Sequence, residues 1–168
     1  ASAPQDRRRE GIVLQMTVSE NMTLGRLGKL AKAGRIERRR EASTVEALID
    51  SFKVKTPSSA QTIALLSGGN QQKVVLGRAA GFGAEVLLLD EPTQGVDANA
   101  KSEIANLIRE QAAQSVGVVV ASTDFEDFVG LAHRVIVLDR GRVVGSAAGE
   151  EITVENLSLI CARNAASD

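Results

Sequence analysis

Apolar residues recur along this chain in two rhythms. From Thr23, the positions Leu24, Leu27 and Leu30 follow helical spacing. Val45, Leu48, Ile49 and Phe52 do the same behind Ser43-x-x-Glu46, which has the form of a capping box. The pattern predicts two amphipathic helices broken by Gly34. Lys55-Thr56-Pro57-Ser58-Ser59 then supplies turn chemistry, because a proline disfavours helix in the residue before it. Further on the rhythm changes to continuous apolar runs at Val86-Leu87-Leu88-Leu89 and Val116-Gly117-Val118-Val119-Val120, as expected of parallel strands buried on both faces. Between them a helix is expected to follow Asp97. It carries Ala100, Ile104, Leu107, Ile108 and Gln111 as a one-sided stripe, and its polar face has Lys101, Glu103 and Arg109. Strand, helix, strand makes a βαβ unit.

Val135-Ile136-Val137-Leu138, a turn through Asp139-Arg140-Gly141-Arg142, and Val143-Val144 read as an antiparallel hairpin. A last helix is expected from Val154 to about Ala162. The opening residues 1–6 carry no cap or strand signal, and residues 11–14 form a short apolar segment. No repeat, low-complexity tract or linker interrupts the chain. The expected fold class is α/β, a mostly parallel sheet flanked by helices. Residues 1–168 form one incomplete domain, with a helical subdomain over 20–65 inserted into it and the α/β core over 66–168.

Composition narrows the class. Of 168 residues, 43% are apolar and 24% charged, near the globular average and unlike a disordered chain. A net charge of −1 lacks the footprint of a dedicated nucleic-acid binder, so Arg7-Arg8-Arg9 and Arg38-Arg39-Arg40 are read as solvated faces and no nucleic-acid partner is expected. The single cysteine, Cys161, cannot form an internal disulfide, and no Cys/His cluster has metal-ligand spacing, which fits a reducing compartment such as the cytoplasm. With no Trp, no Tyr and four Phe, the chain lacks aromatic platforms for bases or sugars. It has no apolar stretch of the roughly 20 residues a membrane helix needs and no signal peptide at its start, so any membrane connection is expected through a partner.

Two segments carry candidate chemistry. Ser67-Gly68-Gly69 stands before a helix expected from about Asn70 to Gly81. There, backbone N–H groups and the helix dipole can converge on an anion, Ser67 adds a hydroxyl, and two glycines leave the approach open. The plain alternative is a serine cap and a glycine turn. Asp90, at the C-terminal end of a strand, can hold Mg²⁺ through water, and a turn at Pro92 can redirect Glu91 toward an attacking water. The plain alternative there is a polar strand exit.

Taken together, the box Leu66-Ser67-Gly68-Gly69-Asn70-Gln71-Gln72-Lys73 and the box Leu87-Leu88-Leu89-Asp90-Glu91-Pro92-Thr93 resemble the signature and Walker B motifs of ATP-binding cassette (ABC) proteins. The NQQK ending is most similar to the second cassette of bacterial monosaccharide-importer ATPases, and the likeness runs from Pro4 to about Leu159. It implies a P-loop NTPase fold and a composite site. Ser67, Gly68, Gly69 and Asn70 would face ATP held by a second cassette, Asp90 would hold Mg²⁺, and Glu91 would be the general base or orient the water. Gly95-Val96-Asp97 resembles the D-loop at the cassette seam. Asp97 can also be a helix cap, or serve both roles. The stretch around Ala3-Pro4-Gln5-Asp6 resembles the PEDR(K/R)xxG segment and puts Gln5 at the Q-loop position. Where most cassettes have a switch histidine this chain has Thr123, whose hydroxyl can reach a phosphate oxygen but cannot become a cation. His133, the sole histidine, is read as structural.

The 168 residues hold no GxxxxGK[ST], so nothing in them cradles the α and β phosphates, and the missing strand before it is expected to leave a sheet edge unpaired. The resemblance therefore implies part of an ATPase subunit that powers monosaccharide import from the cytoplasmic face of the membrane. Its partners would be a second cassette, a transmembrane permease and, indirectly, a sugar-binding protein. Two alternatives stand beside it: a soluble cassette protein outside transport, and a non-catalytic fragment that only supplies an interaction surface.

Overall fold

A computed structural model describes residues 1–32 and 34–165. Two compact units divide it, Ala1–Ala121 and the residues from Ser122 onward. In chain order the first contains β1 (Ser2–Ala3), a short π-type turn (Arg7–Gly11), α1 (Val18–Thr23), α2 (Leu27–Leu30), β2 (Ala31–Lys32), β3 (Arg35–Ile36), α3 (Arg38–Ser51), α4 (Gly68–Ala80), β4 (Val86–Asp90), α5 (Ala98–Ala113) and β5 (Gly117–Ala121). The second contains β6 (Arg134–Asp139), β7 (Arg142–Ala148) and α6 (Val154–Ala165).

The βαβ unit forms as the pattern predicts. β4 and β5 pair in parallel, Leu89 opposite Val120 and Asp90 opposite Ala121, with α5 as the crossover. The third strand, β1, comes from two residues with no strand signal. Its pairing is imposed by β4: Leu88 N–H donates to Ala1 O at 2.9 Å, and the Ala1 ammonium donates to Val86 O at 2.8 Å. Sheet order is β1-β4-β5, so β1 and β5 stand at the edges among the described strands. The expectation of burial on both faces needs correction. Ala3, Leu87 and Leu89 on one face are at most 2% exposed, whereas Val86, Leu88 and Val119 on the other are 48%, 51% and 58% exposed. Apolar runs report what a strand could bury, and only one face is covered within this unit.

Between residues 20 and 65 two sequence expectations fail. The first helix does not run from Thr23 to Gly34. α1 stops at Thr23, Gly25 takes a left-handed φ of 77°, α2 lasts a single turn, and Gly34 serves a β2–β3 hairpin. The capping box is also misplaced. Ser43 lies inside α3, its hydroxyl donating to Arg40 O, because the helix formers from Arg38 onward start the helix earlier. A true capping box sits at Thr17 and Glu20, with Glu20 N–H donating to Thr17 Oγ1 and Thr17 N–H to Glu20 Oε2. Val45, Leu48 and Phe52 are buried as expected.

In the second unit β6 and β7 form the anticipated hairpin around Arg140 and Gly141, both at positive φ, which matches the mirror-image turn that suits strand twist. α6 extends a few residues past the expected end.

Candidate functional site

Ser67 is exposed and caps α4. Its Oγ accepts from Asn70 Nδ2 at 2.9 Å and, at 3.4 Å, from Asn70 N–H. The helix begins at Gly68, two residues earlier than the pattern suggested, so the first-turn N–H groups of Gly68 and Gly69 have no acceptor inside the helix. At the head of a thirteen-residue helix, these groups form a dipole-favoured corner for an anion. The cap reading and the anion reading are compatible here, since the Ser67 hydroxyl is accessible.

The two glycines have a second reason to be glycine. A Cβ on Gly69 would lie 2.6 Å from the Ala100 Cβ, so its absence lets α4 press onto α5. A Cβ on Gly68 would lie 2.6 Å from Arg7 Nη2 and 3.3 Å from Gly95 O. The open approach inferred from the sequence is thus partly a packing requirement.

Asn70 is engaged on both sides. Beyond its bond to Ser67, its Oδ1 accepts from Lys55 N–H at 2.8 Å, which ties the 55–59 loop to the signature turn. The rest of the box is scaffold. Gln71 Nε2 donates to Ile63 O and Leu66 O, both at 3.2 Å. Lys73, 1% exposed, donates to Lys53 O at 3.0 Å and pairs with Glu103 Oε2 at 2.5 Å. These roles were missed by sequence reading. The available signal was that α4 is apolar around Val74, Val75 and Leu76, so polar residues sharing that helix have to find partners.

At the strand end, Asp90 closes β4 as an exposed residue on the Leu88 side of the sheet. Glu91 N–H donates to Ala121 O at 2.8 Å, and the backbone then turns at Glu91 itself, with φ of 45°. A non-glycine residue in this left-handed region costs roughly 1–2 kcal/mol. The turn expected at Pro92 therefore begins one residue earlier, in a strained backbone conformation of the kind that clusters at functional sites. Pro92 and Thr93 are buried behind it.

Gly95, at φ of 67°, leads to Asp97, whose Oδ1 accepts from Ala100 N–H at 2.9 Å. Asp97 is thus a helix cap, and its exposed position leaves it able to act at a seam as well. Gln5 is exposed, two residues beyond β1 on the C-terminal edge of the sheet, the edge that also carries Asp90. Thr123 is exposed in the second unit, and His133 is exposed there just before β6.

Arg7 departs from the solvated-face reading of its basic run. Its Nη1 donates to Gln94 O at 2.8 Å and its Nη2 to Gly95 O at 3.3 Å. Partial burial lowers its pKa, chiefly by desolvation and then by the neighbouring Arg8 charge. Arg38, by contrast, is solvated, paired at 3.0 Å with the nearly buried Glu41.

Among the described residues no group of three or more His, Cys, Asp or Glu could hold a metal ion. No helix among the described residues is long and apolar enough to cross a membrane.

A sequence profile of the family described as ABC transporter matches residues 2–94, more than half of the chain. The chain belongs to the ABC transporter family. It is similar to the xylose import ATP-binding protein XylG of Moorella thermoacetica, 42% identical over 162 residues that cover 96% of this chain and 32% of that protein. It is also similar to the ribose import ATP-binding protein RbsA of Rhodopirellula baltica, 41% identical over 94% of this chain and 31% of that protein. The L-arabinose transport ATP-binding protein AraG of Geobacillus stearothermophilus is 37% identical over 98% of this chain and 32% of its own length. The chain thus spans about a third of these curated relatives. Among solved structures, the ATP-binding cassette MJ0796, a dimer bound to ADP and Pi in a post-hydrolysis state, superposes with a TM-score of 0.71 at 22% identity. The match covers 88% of this chain and 61% of that one. At that identity it shows the cassette fold.

Proposed function

We propose that this chain is the signature and Walker B portion of an ATPase that powers import of a monosaccharide through a membrane permease at the cytoplasmic face. The observation that carries the reading is the exposed Ser67 corner at the head of α4, in a chain 37–42% identical to three sugar-import ATP-binding proteins. Ser67 and the Gly68 and Gly69 N–H groups bind the terminal phosphate of ATP presented by a second cassette. Asp90 holds Mg²⁺, whose bound form supplies charge neutralisation at the phosphates. Glu91 orients the attacking water or takes its proton, and Asp97 meets the second cassette at the seam. Gln5 contributes a polar contact near the phosphates, and Thr123, at the position that resembles the switch, offers a hydroxyl and no imidazolium. The permease and a sugar-binding protein are the further partners. Helices of the 20–65 segment are the part that docks on the permease.

The test is ATP hydrolysis by the complete polypeptide encoded around these residues. Turnover that falls by about 10²–10⁴-fold in Glu91→Gln, with MgATP binding retained, supports the assignment. Unchanged turnover in that variant rejects it. By itself the 168-residue chain, having no GxxxxGK[ST], is expected to bind MgATP weakly or not at all, and micromolar affinity by calorimetry would contradict that. A second reading, a non-catalytic cassette that only supplies its signature face, is favoured by Thr123 in place of the switch histidine.

A further inference from the structure

We propose that Arg7 is a positioning residue for the composite site, strapping the Gln94–Gly95 turn to the Gly68 turn so that Asp97 and Ser67 are presented as one unit. The guanidinium fork donates to two consecutive carbonyls, Gln94 O at 2.8 Å and Gly95 O at 3.3 Å. Its other flank lies against Gly68, where only a missing Cβ makes room for Nη2. The base of the side chain is also fixed. Asp6 Oδ1 accepts from Arg8 N–H and Arg9 N–H, both at 3.1 Å, and holds the turn from which Arg7 projects. Nε is enclosed with no hydrogen-bond partner, so the group gives up solvation there to keep the two carbonyl bonds.

Gln94 and Gly95 are exposed, which decides what kind of role this is. Their carbonyls can turn to water if Arg7 is removed, so the fold as a whole loses little. The turn loses its tether, and the position of everything it carries toward Asp97 loosens. A planar, two-pronged cation suits adjacent carbonyls in a way that a single ammonium does not.

The functional half of this inference rests on the ATPase reading, and the structural half does not, so two measurements separate them. Hydrogen exchange on the 168-residue chain reads the strap. In Arg7→Met, the amides of Gln94, Ala100 and Gln71, which donate to Glu91 O, Asp97 Oδ1 and Ser67 O, are expected to exchange about 10-fold faster or more, while the β6–β7 hairpin is unchanged. Arg7→Lys restores part of the protection. Gly68→Ala, which displaces the guanidinium without touching residue 7, reproduces the Arg7→Met pattern. Unchanged exchange at Gln94 and Ala100 in both Arg7→Met and Gly68→Ala overturns the proposal.

In the complete polypeptide, Arg7→Met is expected to lower kcat by about 10-fold or more, with KM for MgATP within about 2-fold, as loss of alignment predicts. Looser exchange with unaltered kcat overturns the positioning role. A wild-type protein that never turns over ATP defeats the ATPase reading alone and leaves the exchange result to decide the strap.

Discussion

Lys73 on α4 and Glu103 on α5 form an ion pair 2.5 Å long, with the lysine 1% exposed and the carboxylate about one-third exposed. Lys55 approaches the same carboxylate at 3.2 Å. The pair clamps the helix that begins at the signature turn to the helix that begins at Asp97. Glu103→Gln leaves a buried ammonium with neutral acceptors only, Lys53 O and an amide oxygen, and is expected to cost about 3 kcal/mol. Lys73→Met, which removes the buried charge as well, is expected to cost less. Urea unfolding of the two variants checks the order, and equal losses would count against the pairing argument.

The same pair sets a pH dependence. Hydrogen bonds from Lys73 and then Lys55 hold the Glu103 pKa below the usual carboxylate value. Because the folded value is the lower one, the unfolded chain binds more protons as pH falls, and stability from this group rises with pH. The contribution is complete above the ordinary glutamate pKa of about 4.3 and disappears as pH drops through the depressed folded value. Unfolding curves of wild type and Glu103→Gln are expected to differ at pH 7 and to converge under acid conditions.

Glu91 stands at φ of 45°. Glu91→Ala and Glu91→Gly both delete the carboxylate, so their difference isolates the backbone. Glycine is expected to be the more stable by about 1 kcal/mol, since only alanine keeps the Cβ penalty. Equal thermal stability of the two would mean the turn relaxes on substitution.

Gly69 and Ala100 meet where α4 crosses α5. Gly69→Ala is expected to destabilise by about 1–3 kcal/mol through overpacking, despite the better helix propensity of alanine. Adding Ala100→Gly reopens the space. A double-mutant cycle is expected to show favourable coupling, and strict additivity would remove the contact from the account.

Asp97 offers a way to separate capping from seam chemistry. Asp97→Asn keeps an oxygen for Ala100 N–H and is expected to leave stability within a few tenths of a kcal/mol, whereas Asp97→Ala loses about 1 kcal/mol. If Asp97 also acts at the seam, Asp97→Asn lowers hydrolysis in the complete polypeptide without lowering the melting temperature.

Much of this was legible because it is local. The βαβ crossover, the β6–β7 hairpin and the Asp97 cap each follow from residues a few positions apart. Local signals failed where two sites offered the same chemistry. Thr17-x-x-Glu20 and Ser43-x-x-Glu46 have one form, and only the strong helix formers upstream of Ser43 exclude the second. They failed again at residues 23–34, where Leu spacing promised a helix that Gly25 ends and a hairpin replaces.

The sequence by itself determined the parallel crossover and the two motifs that identify the family, since strand runs, glycines before a helix and a carboxylate at a strand end each depend on near neighbours. Tertiary structure alone decided that Ser2–Ala3 is a strand, that one sheet face stays exposed, and that Arg7 belongs to a turn 87 residues away. Each of these depends on a partner distant in the chain, whether a strand edge, a covering helix or a pair of loop carbonyls. Such partners are chosen by packing and hydrogen-bond satisfaction after the local elements exist, and nothing in the neighbouring residues announces them.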